Sequence, residues 1–247
     1  MRHIYYHKLL YACCIAISII CLSSCFYCID GSNVIRTENR TSQVSSFKEI
    51  ELRGDFDINF TQDTSINFEV LIEGDDNILP YISTIVSGER LIIEFNTSKC
   101  FNHSNNVDVK IEAKDLAKLI IDGSGNAHCN KLVTSSLDLQ ISGSGNISFY
   151  ELTLNTLKAR ISGSGNISLS GNTNTSDISI SGSGSFGSYD LLNGICNATI
   201  SGSGNIEIAF SDQLNANISG SGNIYYKGDK NKVQKNINGS GGVYPKN

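Results

Sequence analysis

Seven times in its second half, this 247-residue chain sets a serine between two glycines, at Ser124, Ser144, Ser164, Ser183, Ser203, Ser221 and Ser240; asparagine ends the motif in five of the seven. Three chemistries use such letters. A glycine-flanked serine can be a hydrolase nucleophile, but only on a strand-to-helix elbow beside a histidine, and here the triplet recurs everywhere as a corner. A glycine-rich turn can cradle phosphate when a lysine and a helix follow, and neither does here. Repeated glycine turns can also hold calcium, which requires a carboxylate in each turn where this chain has Asn126, Asn146, Asn166, Asn205 and Asn223.

Other reactive groups are sparse. Beyond the first 24 residues only His103 and His128 remain as histidines, and Glu73, Asp75 and Asp76 form the one dense acidic cluster, expected as a solvated turn. The position after each motif's apolar residue holds His128, Ser148, Ser168, Gly187, Glu207, Tyr225 and Tyr244. Its lone His and lone Glu stand about four repeats apart, too far to share a proton-transfer site. Neither a catalytic residue, a metal ligand nor a cofactor-binding residue is expected.

One cysteine does have expected chemistry. Arg2 and Lys8 precede an apolar run from Leu9 to Leu22, and Leu22-Ser23-Ser24-Cys25 follows. That order reads as a signal peptide over 1–24. Its end resembles the lipobox of bacterial lipoproteins, which implies that Cys25 becomes the first residue and carries lipid. Residues 25–46 are polar and lack periodicity, so they are expected as a flexible tether.

The elements that position these groups follow from the spacing. The isoleucines leading the motif, Ile121, Ile141, Ile161, Ile180, Ile200, Ile218 and Ile237, are 20, 20, 19, 20, 18 and 19 residues apart. That period is too short for paired helices and suits one coil of a β-solenoid, where each coil buries its apolar side only against its neighbours. Period-two alternation gives one strand before the isoleucine, with Leu137, Leu139, Leu157 and Ile178 inward. A second strand follows the motif, with Ile147, Phe149, Ile167 and Leu169 inward. Between them, glycine is expected to supply φ > 0 at a corner. Stacked Ser and Asn side chains are expected to hydrogen-bond in ladders along the axis.

Charge narrows the partners. Removing the leader's two basic residues leaves 17 Lys+Arg against 24 Asp+Glu, a net of −7. From residue 121 onward there are 8 of each, so the array is neutral and carries no basic stripe for nucleic acid. Lys227, Lys230, Lys232 and Lys235 read as solvating a terminal turn. Cys129 and Cys196 fall on inward positions about 19 Å apart along the axis, beyond disulfide reach. The pairing of Cys28 and Cys100 is left open.

Residues 47–116 keep the strand period without the glycine signature and are expected to form a cap and irregular β coils, with corners at Gly54, Gly74 and Gly88; residues 117–247 form the regular array. The opening Phe47-x-x-Ile50-x-Leu52-x-Gly54-x-Phe56-x-Ile58, the stretch from Asn77-x-Leu79 to Gly88-x-x-Leu91-x-Ile93, and the repeated Gly-Ser-Gly-Asn together resemble the GIN domain, the head of autotransporter-type adhesins on bacterial envelope lipoproteins. The resemblance implies an all-β, single-stranded right-handed parallel β-helix. It also implies an envelope location, at the outer membrane or cell surface of a Gram-negative bacterium.

The expected function is a non-enzymatic, lipid-anchored scaffold whose rigid, neutral shaft presents Ser, Thr, Asn and Tyr to a glycan or protein ligand, with no nucleic-acid partner and the oligomeric state open. The alternatives are a polysaccharide-degrading β-helix enzyme, and an envelope regulatory protein that binds another protein through its acidic front half.

Overall fold

The computed structural model describes residues 28–102 and 106–246; the expected leader, Cys25 and His103 lie outside the described residues. The described chain is a solenoid of stacked parallel coils, as the spacing predicts. The leading isoleucines pair in one line from Ile121 through Ile141, Ile161, Ile180, Ile200 and Ile218 to Ile237. A second line runs from Ala127 through Ile147, Ile167, Phe186, Ile206 and Ile224 to Val243. Both lines point inward except at the last residue of the first, Ile237, which is exposed, and Ile147, Ile167, Phe186, Ile206 and Ile224 are fully buried. Since removing such a side chain from water is worth about 1.5–3 kcal/mol, register is set by these columns: a one-residue slip would turn every one of them outward.

Each coil has three sides, not the two expected. Strands Asn146–Ile161, Asn166–Ile180, Ser185–Ile200 and Asn205–Ile218 each run along the second face, bend through a short third face and continue as the first face of the next coil. Leu132 pairs with Leu152, Leu152 with Gly171, and Gly171 with Leu191 on that third side. Register shifts at Phe149/Leu152, Ser168/Ser170 and Ser188/Leu192 break the columns there. The side is only two to four residues long between variable bends, so no regular alternation marks it.

Corner glycines recur for a different reason from the one expected. Positive φ is confined, among described glycines, to Gly54, Gly88, Gly123, Gly171 and Gly228, so most motif glycines have ordinary backbone. Close stacking decides them: a Cβ on Gly163 would lie 1.9 Å from the carbonyl oxygen of Gly143 one coil below. The motif serines join this corner through their backbone, with Ser164 N–H donating to Gly143 O at 3.0 Å and Ser183 N–H to Gly163 O at 3.0 Å. The asparagines do form a side-chain ladder.

The front half is ordered in space differently from the chain. Glu49–Gly54 and Phe56–Gln62 make a coil on which Lys118–Gly123 and Asn126–Cys129 rest directly. The intervening Arg90–Phe95 and Val107–Ala113 stack parallel beneath it. Phe68–Asp75 and Ile82–Ser87 then add antiparallel to that lowest coil and end the parallel ladder as a cap. Gly74 lies inside strand Phe68–Asp75 and not at a corner.

From residue 28 onward the expected tether is part of the fold. Ile35–Asn39 pairs antiparallel with Phe68–Asp75, Ile29–Asp30 pairs with Phe101–Asn102, and Cys28 is disulfide-bonded to Cys100. Arg40, largely buried, donates to the carbonyls of Leu79 and Ile82 and to Glu38. These attachments are main-chain, guanidinium and disulfide contacts, which leave no hydrophobic periodicity in the sequence. Asp75, expected in a solvated turn, is fully buried and accepts from Asn33 N–H at 2.9 Å. Asp76 accepts from the Ser32 hydroxyl at 2.6 Å. The segment 32–34 folds over that acidic turn and covers it.

Candidate binding face

Two outward columns on the second face carry polar groups in register. The first is the asparagine ladder. Asn146 Nδ2 donates to Asn126 Oδ1 at 2.8 Å, Asn166 Nδ2 to Asn146 Oδ1 at 2.9 Å, and Ser185 N–H to Asn166 Oδ1 at 3.1 Å. It resumes with Asn223 N–H on Asn205 Oδ1 and closes with Gly242 N–H on Asn223 Oδ1, each at 3.0 Å. Its head is Asp57, whose Oδ1 accepts from both N–H and Nδ2 of Asn126 at 2.8 Å. A carboxylate suits this place because the ladder starts with a residue that only accepts. Sequence reading missed it, although Ile58-x-Phe60 occupies the frame of the motif's apolar pair Ala127-x-Cys129 and would have aligned Asp57 with Asn126.

Beyond the ladder the acidity continues. Asp108 pairs in register with Asp57 on one side and with Glu73 on the other. The Asp108 carboxyl is held above the usual carboxylate range, chiefly by burial and then by the negative charges of Asp57 and Glu73. A shallow depression of about 370 Å³ opens there, lined by Asp57, Asp108, Asn126, His128, Asn146 and Ser148. His128 Nε2 sits 2.9 Å from Asn130 Oδ1, and its ring lies 5.6 Å from that of Tyr150. Among the described residues no three His, Cys, Asp or Glu side chains converge on a point where a metal ion could be held.

The second column runs in register through His128, Ser148, Ser168, Gly187, Glu207, Tyr225 and Tyr244, as the alignment of repeats predicts. His128 and Glu207 are four coils apart, about 19 Å, so they do not act on one substrate bond. At the far end Tyr225 and Tyr244 stack with ring centroids 5.8 Å apart. Lys227, expected merely to solvate a terminal turn, lies over the ring of Tyr189 at 4.8 Å.

The first face is differently built. Near the cap Arg53 pairs with Glu51 and Glu94 at 2.6 and 2.8 Å, and Arg90 with Glu49 and Glu51 at 2.8 and 3.0 Å. These contacts engage three of the 16 acidic residues between positions 25 and 120. Farther along, Arg160 and Lys118 flank Asp138 at 3.2 and 3.5 Å. A 200 Å³ depression follows, where Ile120, Ile141 and Ile161 join Gln140, Arg160 and four serines, so one positive charge stands among hydroxyls, an amide and apolar side chains.

Neither free cysteine is a nucleophile in this setting. Burial pushes the Cys129 thiol up to about 11 and the Cys196 thiol up to about 12, so the thiolate is scarce at neutral pH. Both are buried and unpaired, as their inward positions predict.

Comparison with known proteins places this geometry. The family model described as "Putative auto-transporter adhesin, head GIN domain" matches residues 46–229. A crystal structure described as a putative adhesin from Bacteroides fragilis is similar at 25% identity and TM-score 0.84, covering 88% of this chain and 100% of that one. Similar too are a putative adhesin from Parabacteroides merdae at 28% identity and TM-score 0.69, and a putative lipid binding protein from Parabacteroides distasonis at 25% identity and TM-score 0.71; each covers 89% of this chain and 99% of its own. The search of curated proteins returned no match. With the model spanning its cap and nearly all of its coils, the chain belongs to the family of auto-transporter adhesin head GIN domains.

Proposed function

We propose that the protein is a non-enzymatic surface-binding scaffold of the cell envelope, an adhesin anchored to a membrane by lipid on Cys25. The observation that carries this reading is the distribution of its outward groups. Along the coils they are amides, hydroxyls and tyrosines in register; Arg53, Arg90 and Arg160 on the first face are paired with carboxylates, His128 and Glu207 on the second are four coils apart, and Asp57, Asp108 and Glu73 adjoin only where that face meets the cap. Catalysis of glycan cleavage needs two carboxyl groups within several ångströms of one bond. Of the adjacent pair Asp57 and Asp108, Asp57 is engaged by the ladder, accepting from Asn126 N–H at 2.8 Å and from Asn106 Nδ2 at 2.9 Å. A rigid shaft of repeated weak contacts gains from avidity when several engage at once.

The protein-binding alternative through Glu73, Asp75 and Asp76 loses its motive, because Asp75 is buried and Asp76 is bonded to Ser32. A lipid ligand, the word used for one structural neighbour, would have to be met outside, since the coil interior is filled by stacked Ile, Leu and Phe.

The test has two arms. The full chain is assayed for binding to cell surfaces, to glycan arrays and to envelope proteins, and for turnover of neutral and acidic polysaccharides. Binding without turnover is the expected result; turnover abolished by one carboxylate substitution overturns the reading. In the producing cell, incorporation of labelled fatty acid is expected to be lost in Cys25→Ala, and labelling that persists overturns the anchor.

A further inference from the structure

One glycine on the second face stands apart from those in the stack. Where a Cβ on Gly163 or Gly182 would collide with a carbonyl oxygen at 1.9 Å, a Cβ on Gly187 would meet only the Ser168 hydroxyl at 3.9 Å. Packing therefore does not demand glycine at 187, and its φ is not in the left-handed region. A strand glycine free of steric need leaves a notch where another molecule reaches the backbone.

What surrounds the notch is unlike the rest of the array. Gly187 sits in register between Ser168 and Glu207, and Tyr225 and Tyr244 follow Glu207 in the same column. Immediately after the notch the register with the following coil shifts between Ser188 and Leu192, so residues 189–191 have no partner on that side, while Asp190 and Leu191 keep their pairing with Ser170 and Gly171 on the other. Bulges re-aim side chains, and this one carries Tyr189 to the ring contact with Lys227. The Tyr189 hydroxyl oxygen has no hydrogen-bond partner. The Tyr189 phenol is raised by burial first and then by Glu207 and Tyr225, which pair in register with each other.

We propose that the column running from the Gly187 notch through Glu207 and Tyr225 to Tyr244, with Tyr189 and Lys227 beside it, is an elongated binding site for a neutral saccharide. The assignment rests on the surface-binding reading above and specifies its ligand. The stacked Tyr225–Tyr244 pair offers a broad amphipathic surface to the C–H face of a sugar ring, with phenol groups at its edge for hydroxyls. The Glu207 carboxylate accepts hydroxyl hydrogens, the Lys227 ammonium donates, and the bare backbone at Gly187 lets a hydroxymethyl or ring edge approach. One acid and one base leave no net charge, which fits an uncharged chain over a sulfated or uronate-rich one. A shallow site of few contacts gives weak binding, strengthened by several copies on one cell.

The experiment measures binding of the full chain to panels of neutral and of anionic oligosaccharides. Three variants are compared with the wild type: Gly187→Val fills the notch, Tyr244→Ala and Tyr225→Ala remove rings, and denaturation midpoints confirm that each folds. Arg160→Ala, on the other face, is the control. Neutral binding that weakens at least tenfold in Gly187→Val and in either tyrosine variant, with Arg160→Ala unchanged, is the expected result. Neutral binding unaffected by all three variants overturns the site and leaves the surface-binding reading standing. Preference for anionic saccharides, or binding to protein alone, overturns the ligand class and likewise spares that reading. Absence of any surface ligand overturns both.

Discussion

Replacing Gly163 by alanine tests the reason for the repeat itself. The added Cβ would sit 1.9 Å from Gly143 O, where ordinary contact begins at 3.4 Å. Clearing that overlap means separating two coils by about 1.5 Å at a corner, against a normal strand spacing of about 4.8 Å. Hydrogen bonds from Ser164 N–H and Gly165 N–H to Gly143 O, at 3.0 and 3.3 Å, would lengthen beyond use. Two backbone hydrogen bonds at about 1 kcal/mol net each, with about 1–3 kcal/mol of overpacking strain, give an expected loss of about 3–5 kcal/mol. That is a large fraction of the roughly 5–15 kcal/mol that holds a domain folded. Gly187→Ala is the matched comparison: with open space around its Cβ and a gain in strand propensity, it is expected to hold or raise stability by up to about 1 kcal/mol. Urea unfolding of the full chain followed by circular dichroism reads both. Should Gly163→Ala unfold within about 1 kcal/mol of wild type, or the two variants lose stability alike, close coil stacking is not what keeps the motif glycines.

Further outcomes follow from other contacts. Opening the Cys28–Cys100 bridge, which closes 72 residues, by the double Ser variant is expected to lower stability by about 4 kcal/mol on the loop-entropy account, read as a shift in the denaturation midpoint. Asp57→Ala, which strips two donors of Asn126 of their acceptor, is expected to destabilise by about 1–2 kcal/mol and Asp57→Asn by less; equal losses would show that the carbonyl oxygen is not what heads the ladder. Because the Asp108 carboxyl is raised in the fold, the folded state binds its proton more tightly than the unfolded chain, so this group lowers stability as pH rises above 3.8 through its raised value. Asp108→Asn is therefore expected to stabilise at neutral pH, with the gain vanishing in acid; a gain that persists at pH 3 would refute this. Cys129, with its thiol at about 11 against a usual 9.0, is expected to react with iodoacetamide at pH 8 about 100-fold slower than a free thiol from ionisation alone, and to recover on unfolding.

Much of this molecule is visible in one dimension because its stack is a repeat. Aligning the units on Ile121 to Ile237 assigns inward and outward positions before any coordinates are known, since each residue's neighbours above and below are its equivalents one period away. The outward series from His128 to Tyr244, the buried thiols of Cys129 and Cys196 and the asparagine ladder are all consequences of that period. What the sequence does not hold is contact between unlike segments. The third side of the coil, the reversed stacking of 49–62 and 90–113, and the clasp of 28–46 on the cap join residues with no shared period. Glycine shows the boundary most sharply: its recurrence is in the letters, but only the stacked backbone decides that Gly163 is forced by a carbonyl 1.9 Å away while Gly187 is left open, because a steric demand exists only between chains already brought together.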